Sequence, residues 1–231
     1  MIVLPITGSF TRGQSSDSIP DGSGVLIVDE LGPPNGYPMP SSIIDTIKAS
    51  GIQVVHISGL TVGGFRSLSS LHYQLILLRV HSAADAIAMS QTYSTFSYVG
   101  EQLNDGVGAM TLSHGVVAFT VTSKFVANEM SGTFRSSSIV MIEGCSSLAD
   151  TRLAEAFIKR GAGAFVGWEG GATLYHADLV SVRVIEKLLV EKEALGRSVT
   201  EIMEEVGPDP VTGASLSYYP SSASSISMAN N

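Results

Sequence analysis

Five short, predominantly apolar runs punctuate the chain: GVLIVDE (24–30), IQVVHIS (52–58), YQLILLRV (73–80), SIVMIE (138–143) and AGAFVGWEG (162–170). They are six to nine residues long, most of them rich in β-branched or aliphatic side chains and flanked by turn residues, so they predict buried strands. Between them the spacing changes to that of helices. SSIIDTIKAS places Ile43, Ile44 and Ile47 on one face behind a serine cap, and Gly51 stops it. TVGGFRSLSSL predicts a short helix. SLADTRLAEAFIKRG aligns Leu153, Ala154, Phe157 and Ile158 ahead of Gly161. Residues 176–196 predict a long helix and SVTEIMEEV a final one. Residues 82–137 are less regular, with a β segment at 115–121 and a helical turn at 123–130. Strands that are apolar on both faces and alternate with helices predict a mostly parallel sheet covered on both sides. The expected organisation is an N-terminal arm (1–23), one α/β domain (24–206) and a C-terminal extension (207–231) whose SSASSISMANN end reads as a disordered tail.

In such sheets ligands bind beyond the carboxyl ends of the strands. The polar residues there are Asp29 and Glu30, Ser58, His81, Glu143 with Cys145, and Trp168 with Glu169. Cys145 is the only cysteine in 231 residues. A thiol becomes a strong nucleophile when an imidazole takes its proton or stabilises its thiolate. His81 and Cys145 satisfy this if their strands are neighbours. The backbone N–H of Cys145, at a strand-to-helix turn, is placed to help hold an oxyanion, and Gly144 permits the tight turn. Trp168 and Glu169 are candidate cleft residues.

The order apolar strand, His and small residue (ILLRVHSA), then apolar strand, small residue and Cys (IVMIEGCSS) resembles the clan CD caspase-like cysteine peptidases. These include caspases, legumain, gingipain, clostripain, separase and CHAT-domain proteins. LAEAFIKRGAGAFVGWEG looks most like the CHAT, separase and gingipain branch, in its prokaryotic and archaeal members. The resemblance covers residues 24–205. It implies a caspase-like three-layer α/β/α sandwich and a cysteine endopeptidase acting on protein or peptide substrates. It also implies His81 as general acid/base and Cys145 as nucleophile, with no third member. The family's glycine after the histidine, which shapes the oxyanion site, is Ser82 here. The residue two before the cysteine lines the family's specificity pocket. Here it is Glu143, and a carboxylate at that place implies cleavage after Arg or Lys. A salt bridge from Glu143 to Arg79 or Arg135 is the competing reading.

Each candidate has a structural reading beside the functional one. A lone cysteine is often a small buried hydrophobe, and a non-catalytic scaffold with the same fold is the alternative function. A glutamine amidohydrolase fits less well, because its Gly-x-Cys-x-Gly elbow is absent from EGCSS and its histidine lies downstream. His56, His72, His114 and His176 read as structural, with Asp178 favouring the start of its helix. Asp29 and Glu30 are too few for a metal site. No cofactor is expected, and calcium dependence does not follow from the sequence. VGG (62–64) and WEGGA (168–172) lack dinucleotide spacing. A net charge of −8 argues against nucleic acid or an anionic membrane. No apolar run reaches the ~18 residues of a membrane span, and MIVLPITGSF is too short and insufficiently basic for a signal peptide. Compartment and oligomeric state are not legible. Arg12, in TRGQSS, is a candidate autocleavage position.

Overall fold

A computed structural model of the chain describes residues 19–32, 36–112 and 115–228. Arg12 and His114 lie outside them. The central sheet has six strands: β1 (Val25–Asp29), β2 (Val54–Ile57), β3 (Leu75–Arg79), β8 (Ile139–Glu143), β9 (Ala164–Trp168) and β10 (Leu216–Tyr219). Their spatial order is β10-β9-β8-β3-β1-β2, all parallel except β10. The five apolar runs thus form the parallel part of one sheet.

Side chains alternate along each strand. Leu26, Val28, Ile76, Leu78, Val140 and Ile142 face one layer. There they meet Val62 and Phe65 of α2 (Val62–Ser67), Phe125 and Val126 of α4 (Ser123–Asn128), and Leu153 and Phe157 of α5 (Arg152–Lys159). Val25, Ile27, Leu75, Leu77, Ile139 and Met141 face the opposite layer. It holds Ile43 and Ile47 of α1 (Ser41–Ala49), Val180 and Val184 of α6 (Leu174–Ile185), and Val199 and Ile202 of α7 (Leu195–Glu205). The result is the expected three-layer α/β/α sandwich. Burial of such side chains, each contributing about 1.5–3 kcal/mol, holds the layers together.

The less regular region is a second, antiparallel sheet. Its strands β4 (Ser82–Ala83), β5 (Ala86–Thr92), β6 (Val107–Thr111) and β7 (Val117–Val121) lie in the order β4-β5-β7-β6. A five-residue helix, α3 (Val99–Leu103), connects β5 to β6. Only β7 and α4 were expected from the sequence, because β5 and β6 contain small and polar residues with weak alternation. β4 begins directly after His81, so the second sheet is anchored at the end of β3.

Two boundaries differ from the sequence reading. The long helix does not continue to residue 196. After α6 comes one π-helical turn, Glu186–Val190, and the chain then bends at Lys192, whose φ is +58°. Residues 221–228, read from the sequence as part of a tail, pack onto the domain. β10 pairs with β9, a 3-10 turn spans Ser221–Ser225, and Ala223 and Met228 are buried against α7's layer. The segment's serine-rich composition concealed this, because two small apolar anchors and an edge pairing suffice to hold it. At the other terminus, Tyr73 donates its hydroxyl proton to the Pro20 carbonyl at 2.7 Å, which ties the arm to the start of β3.

Candidate active site

His81 and Cys145 follow the carboxyl ends of β3 and β8, which are adjacent, parallel and in register from Leu75↔Ile139 to Arg79↔Glu143. Beyond the last paired residues the two chains stay together. The Val80 N–H donates to the Glu143 carbonyl at 3.3 Å, and the Ser82 hydroxyl donates to the Cys145 carbonyl at 2.8 Å. Gly144 sits between them. A Cβ there would lie 2.6 Å from the Val80 carbonyl and 2.3 Å from the Ser82 hydroxyl, the two residues flanking His81. Only a residue without a side chain lets the cysteine turn approach the histidine segment this closely. Gly144→Ala is therefore expected to lower stability by about 1–3 kcal/mol and to separate the two segments. Urea denaturation, with Cys145 alkylation rates as a second readout, checks this.

Cys145 is exposed. Its thiol is directed at the Ala172 carbonyl, with Sγ 3.6 Å from the oxygen. The next residue, Ser146, takes a left-handed conformation (φ +55°) and donates its N–H to the Gly170 carbonyl at 2.8 Å. Leu148 donates to the Trp168 carbonyl, and the Ser147 hydroxyl accepts from the Trp168 N–H at 3.1 Å. The cysteine turn is thus stitched to the end of β9, and the N–H groups of Ser146 and Leu148 are already engaged. Ser82, half of the expected oxyanion pair with Cys145, is buried at the start of β4 with its hydroxyl on the Cys145 carbonyl.

The His81 ring is half-buried, and burial alone holds its pKa below the ordinary value. No carboxylate contributes to the shift. The imidazole is consequently neutral at neutral pH, the form able to accept a thiol proton.

Glu143 does not face the cleft. With period-two alternation it shares the face of Ile139 and Met141, under α6, and it is 1% exposed. Its carboxyl receives the Arg79 Nε–H at 3.0 Å, so the salt-bridge reading prevails and Arg79, not Arg135, is the partner. Arg79 itself is 0% exposed. Its Nη1 donates to Asp29 at 2.8 Å and to the Tyr37 carbonyl at 2.9 Å. Its Nε and Nη2 donate to Asp178 at 2.8 and 3.2 Å. Burial opposes the guanidinium charge, but hydrogen bonds to Asp178 and Asp29 and the nearby Glu143 carboxyl raise its pKa. Burial, followed by the Asp178 carboxylate, pushes Glu143 well above the usual carboxylate range.

Trp168 is likewise fully buried. It shares the face of Ala164 and Val166 and packs edge-on against His176, with ring centroids 5.7 Å apart. It supports the site from below and does not line an open cleft. Glu169 is exposed beyond the strand end. His176 is buried with Nε2 3.1 Å from the Gly207 carbonyl, the structural role expected of it. His72 pairs with Asp21, and His56 lies 4.0 Å from Asp29. Glu30 accepts the Leu60 N–H at 2.6 Å, and burial raises its pKa to about 7. Among the described residues no group of three or more His, Cys, Asp or Glu is placed to hold a metal ion. No helix there is long and apolar enough to cross a membrane.

One supporting residue escaped the sequence reading. Asp209 is buried and accepts hydrogen bonds from the N–H and hydroxyl of Thr173, at 2.7 and 2.6 Å, and from the N–H groups of Val211 and Thr212. It ties the 209–214 turn to the 169–173 loop that carries the Ala172 carbonyl. The signal was present in GPDPVTG, where an aspartate inside a Pro/Gly turn caps its own backbone. These hydrogen bonds hold its pKa low against the opposing effect of burial. Asp209→Ala is expected to loosen this loop, read as faster amide exchange at 171–173 and 211–214.

No protein-family model matches the chain, and no curated protein matches it. Among solved structures it is similar to gingipain R. The complex of the pro- and mature domains of Porphyromonas gingivalis RgpB matches at a TM-score of 0.49 and 12% identity, over 80% of this chain and 43% of that one. The Arg-specific cysteine proteinase gingipain R (RgpB) matches at 0.48 and 10%, over 88% and 44%. The chain spans less than half the length of these structures.

Proposed function

We propose that this chain is a cysteine endopeptidase acting through a His81/Cys145 dyad. The observation that carries the reading is the placement of a neutral, half-buried imidazole and an exposed thiol at the ends of adjacent parallel strands, held together across Gly144. Cys145 gives its proton to His81 and attacks the peptide carbonyl through Sγ. The tetrahedral oxyanion is held by the backbone N–H groups of Cys145 and Ser82. Collapse breaks the C–N bond, His81 protonates the leaving amine, and a thioester remains. His81 then takes a proton from water, whose oxygen displaces Cys145 and releases the acid. Glu169 borders the substrate path at the exposed end of β9.

A panel of fluorogenic peptides varying the residue before the scissile bond, paired with labelling by electrophilic peptides, tests this. Turnover together with a single label on Cys145 is the expected result. Failure of both would favour a non-catalytic module of the same fold. The thiol's orientation toward the Ala172 carbonyl is the feature that favours that second reading.

A further inference from the structure

We propose that the side chain of Ser82 is a positioning group for the nucleophile, its hydroxyl holding the peptide unit between Cys145 and Ser146 in the orientation that keeps the thiol beside the His81 segment. The inference deepens the peptidase reading and rests on it. The ladder between β3 and β8 ends at Arg79↔Glu143, and one further backbone bond, from the Val80 N–H to the Glu143 carbonyl, lies before His81. After His81 the connection is made by a side chain, since the Ser82 hydroxyl donates to the Cys145 carbonyl at 2.8 Å. Val80 and Ser82 thus bracket His81, and they grip Glu143 and Cys145 on either side of Gly144. Glycine or alanine at position 82 could not make the second grip.

The same peptide unit is held at its other end, where the Ser146 N–H donates to the Gly170 carbonyl at 2.8 Å. Between these two bonds Ser146 is kept at φ +55°, a left-handed conformation that costs free energy for a residue with a side chain. If the Cys145 carbonyl lost its partner, rotation of the peptide unit would carry Ser146 to negative φ and relieve that cost. The Ser146 N–H would then leave Gly170, and the Cys145 backbone would turn with it. Ser82 can resist this because it is itself fixed. It pairs with Ile87 in the second sheet, and the His81 carbonyl accepts the Ala88 N–H at 2.9 Å. The hydroxyl therefore links the sheet behind His81 to the turn that carries the thiol, and a small displacement of that turn separates nucleophile from base.

The test compares wild type with Ser82→Ala, which keeps the backbone N–H assigned to the oxyanion, and with Ser82→Thr, which also keeps the hydroxyl. Ser82→Ala is expected to lower kcat about tenfold to a hundredfold with KM within about twofold, since it alters geometry and not the binding surface. Amide exchange at Ser146 is expected to quicken about tenfold in the same variant. Ser82→Thr is expected to stay near wild type in both. If its extra methyl disturbs the packing over Gly144, seen as a Tm below that of Ser82→Ala, the double variant Ser82→Ala/Ser146→Gly takes its place. Glycine accepts a positive φ without cost, so the double variant is expected to recover part of the lost kcat. A merely structural Ser82 would lower Tm while leaving kcat and the Ser146 exchange unchanged well below the melting temperature, and that result would overturn the proposal. The exchange readout needs no turnover. If wild type cuts nothing and takes no label, the peptidase reading fails. Ser146 exchange then decides alone: faster exchange in Ser82→Ala upholds the hold on the turn, and unchanged exchange overturns it.

Discussion

Cys145→Ala is expected to abolish peptide turnover, with a loss of about 10⁴-fold or more, because no other thiol exists in the chain to form the thioester. His81→Ala should fall nearly as far. The two losses should not add, since nucleophile and base act as one unit. The double variant is then no worse than either single one, and additive losses in steady-state kinetics would argue against a dyad. The pH profile supplies a second check. Burial holds His81 below the ordinary 6.5. The imidazole must be neutral to take the thiol proton, so kcat/KM should climb through a midpoint below pH 6.5 and fall as acid protonates His81. A midpoint well above 6.5 would mean that an unrecognised acidic partner acts on His81, or that another group titrates.

The second large effect is on stability. Arg79→Met is expected to cost about 3–5 kcal/mol, because it leaves Asp29, Glu143 and Asp178 buried together without their cation. Loss of side-chain packing alone would be smaller, since methionine fills much of the same volume. The pH dependence separates the two causes. Without Arg79 the buried cluster loses the charge that favours ionised carboxyls, so the folded chain takes up protons more readily than the unfolded one at mid-range pH. Stability must then fall as pH rises, and the deficit against wild type should narrow as pH drops toward the ordinary carboxyl range. Chemical denaturation of both proteins between pH 4 and 8 reads this directly. A deficit constant across that range would mean that packing, not charge, is what Arg79 supplies. Glu143→Gln should be far milder, because an amide oxygen keeps the acceptor role toward the Arg79 Nε–H.

Much of this was legible along the chain. The five apolar runs became the five parallel strands, within one or two residues at each end. The strand-end rule also singled out His81 and Cys145 before any coordinates, because parallel sheets leave only one edge where polar side chains gather. Period-two alternation was legible too and would have placed Glu143 with Ile139 and Met141, and Trp168 with Ala164 and Val166, on the covered face. Applied to those two residues, it assigns them to the layer under α6 instead of the cleft.

Other features could not be read locally. β10 is a serine- and tyrosine-containing segment whose strand character comes from pairing with β9, and the second sheet depends on β5 meeting β7 across the intervening α3 and β6. The partners of Arg79 stand 50, 64 and 99 residues away in sequence. Their meeting follows from strand order and from α6 crossing the same face. By itself the sequence determined where the chain is buried, which residues end its strands, and that a single thiol and a histidine belong to one edge. Those are consequences of local hydrophobic period and of the few ways parallel strands can be covered. The tertiary structure alone decided which carboxylates share a guanidinium and which face each side chain occupies. It also decided that the C-terminal segment completes the sheet, because such contacts join distant segments whose energies depend on geometry and not on composition.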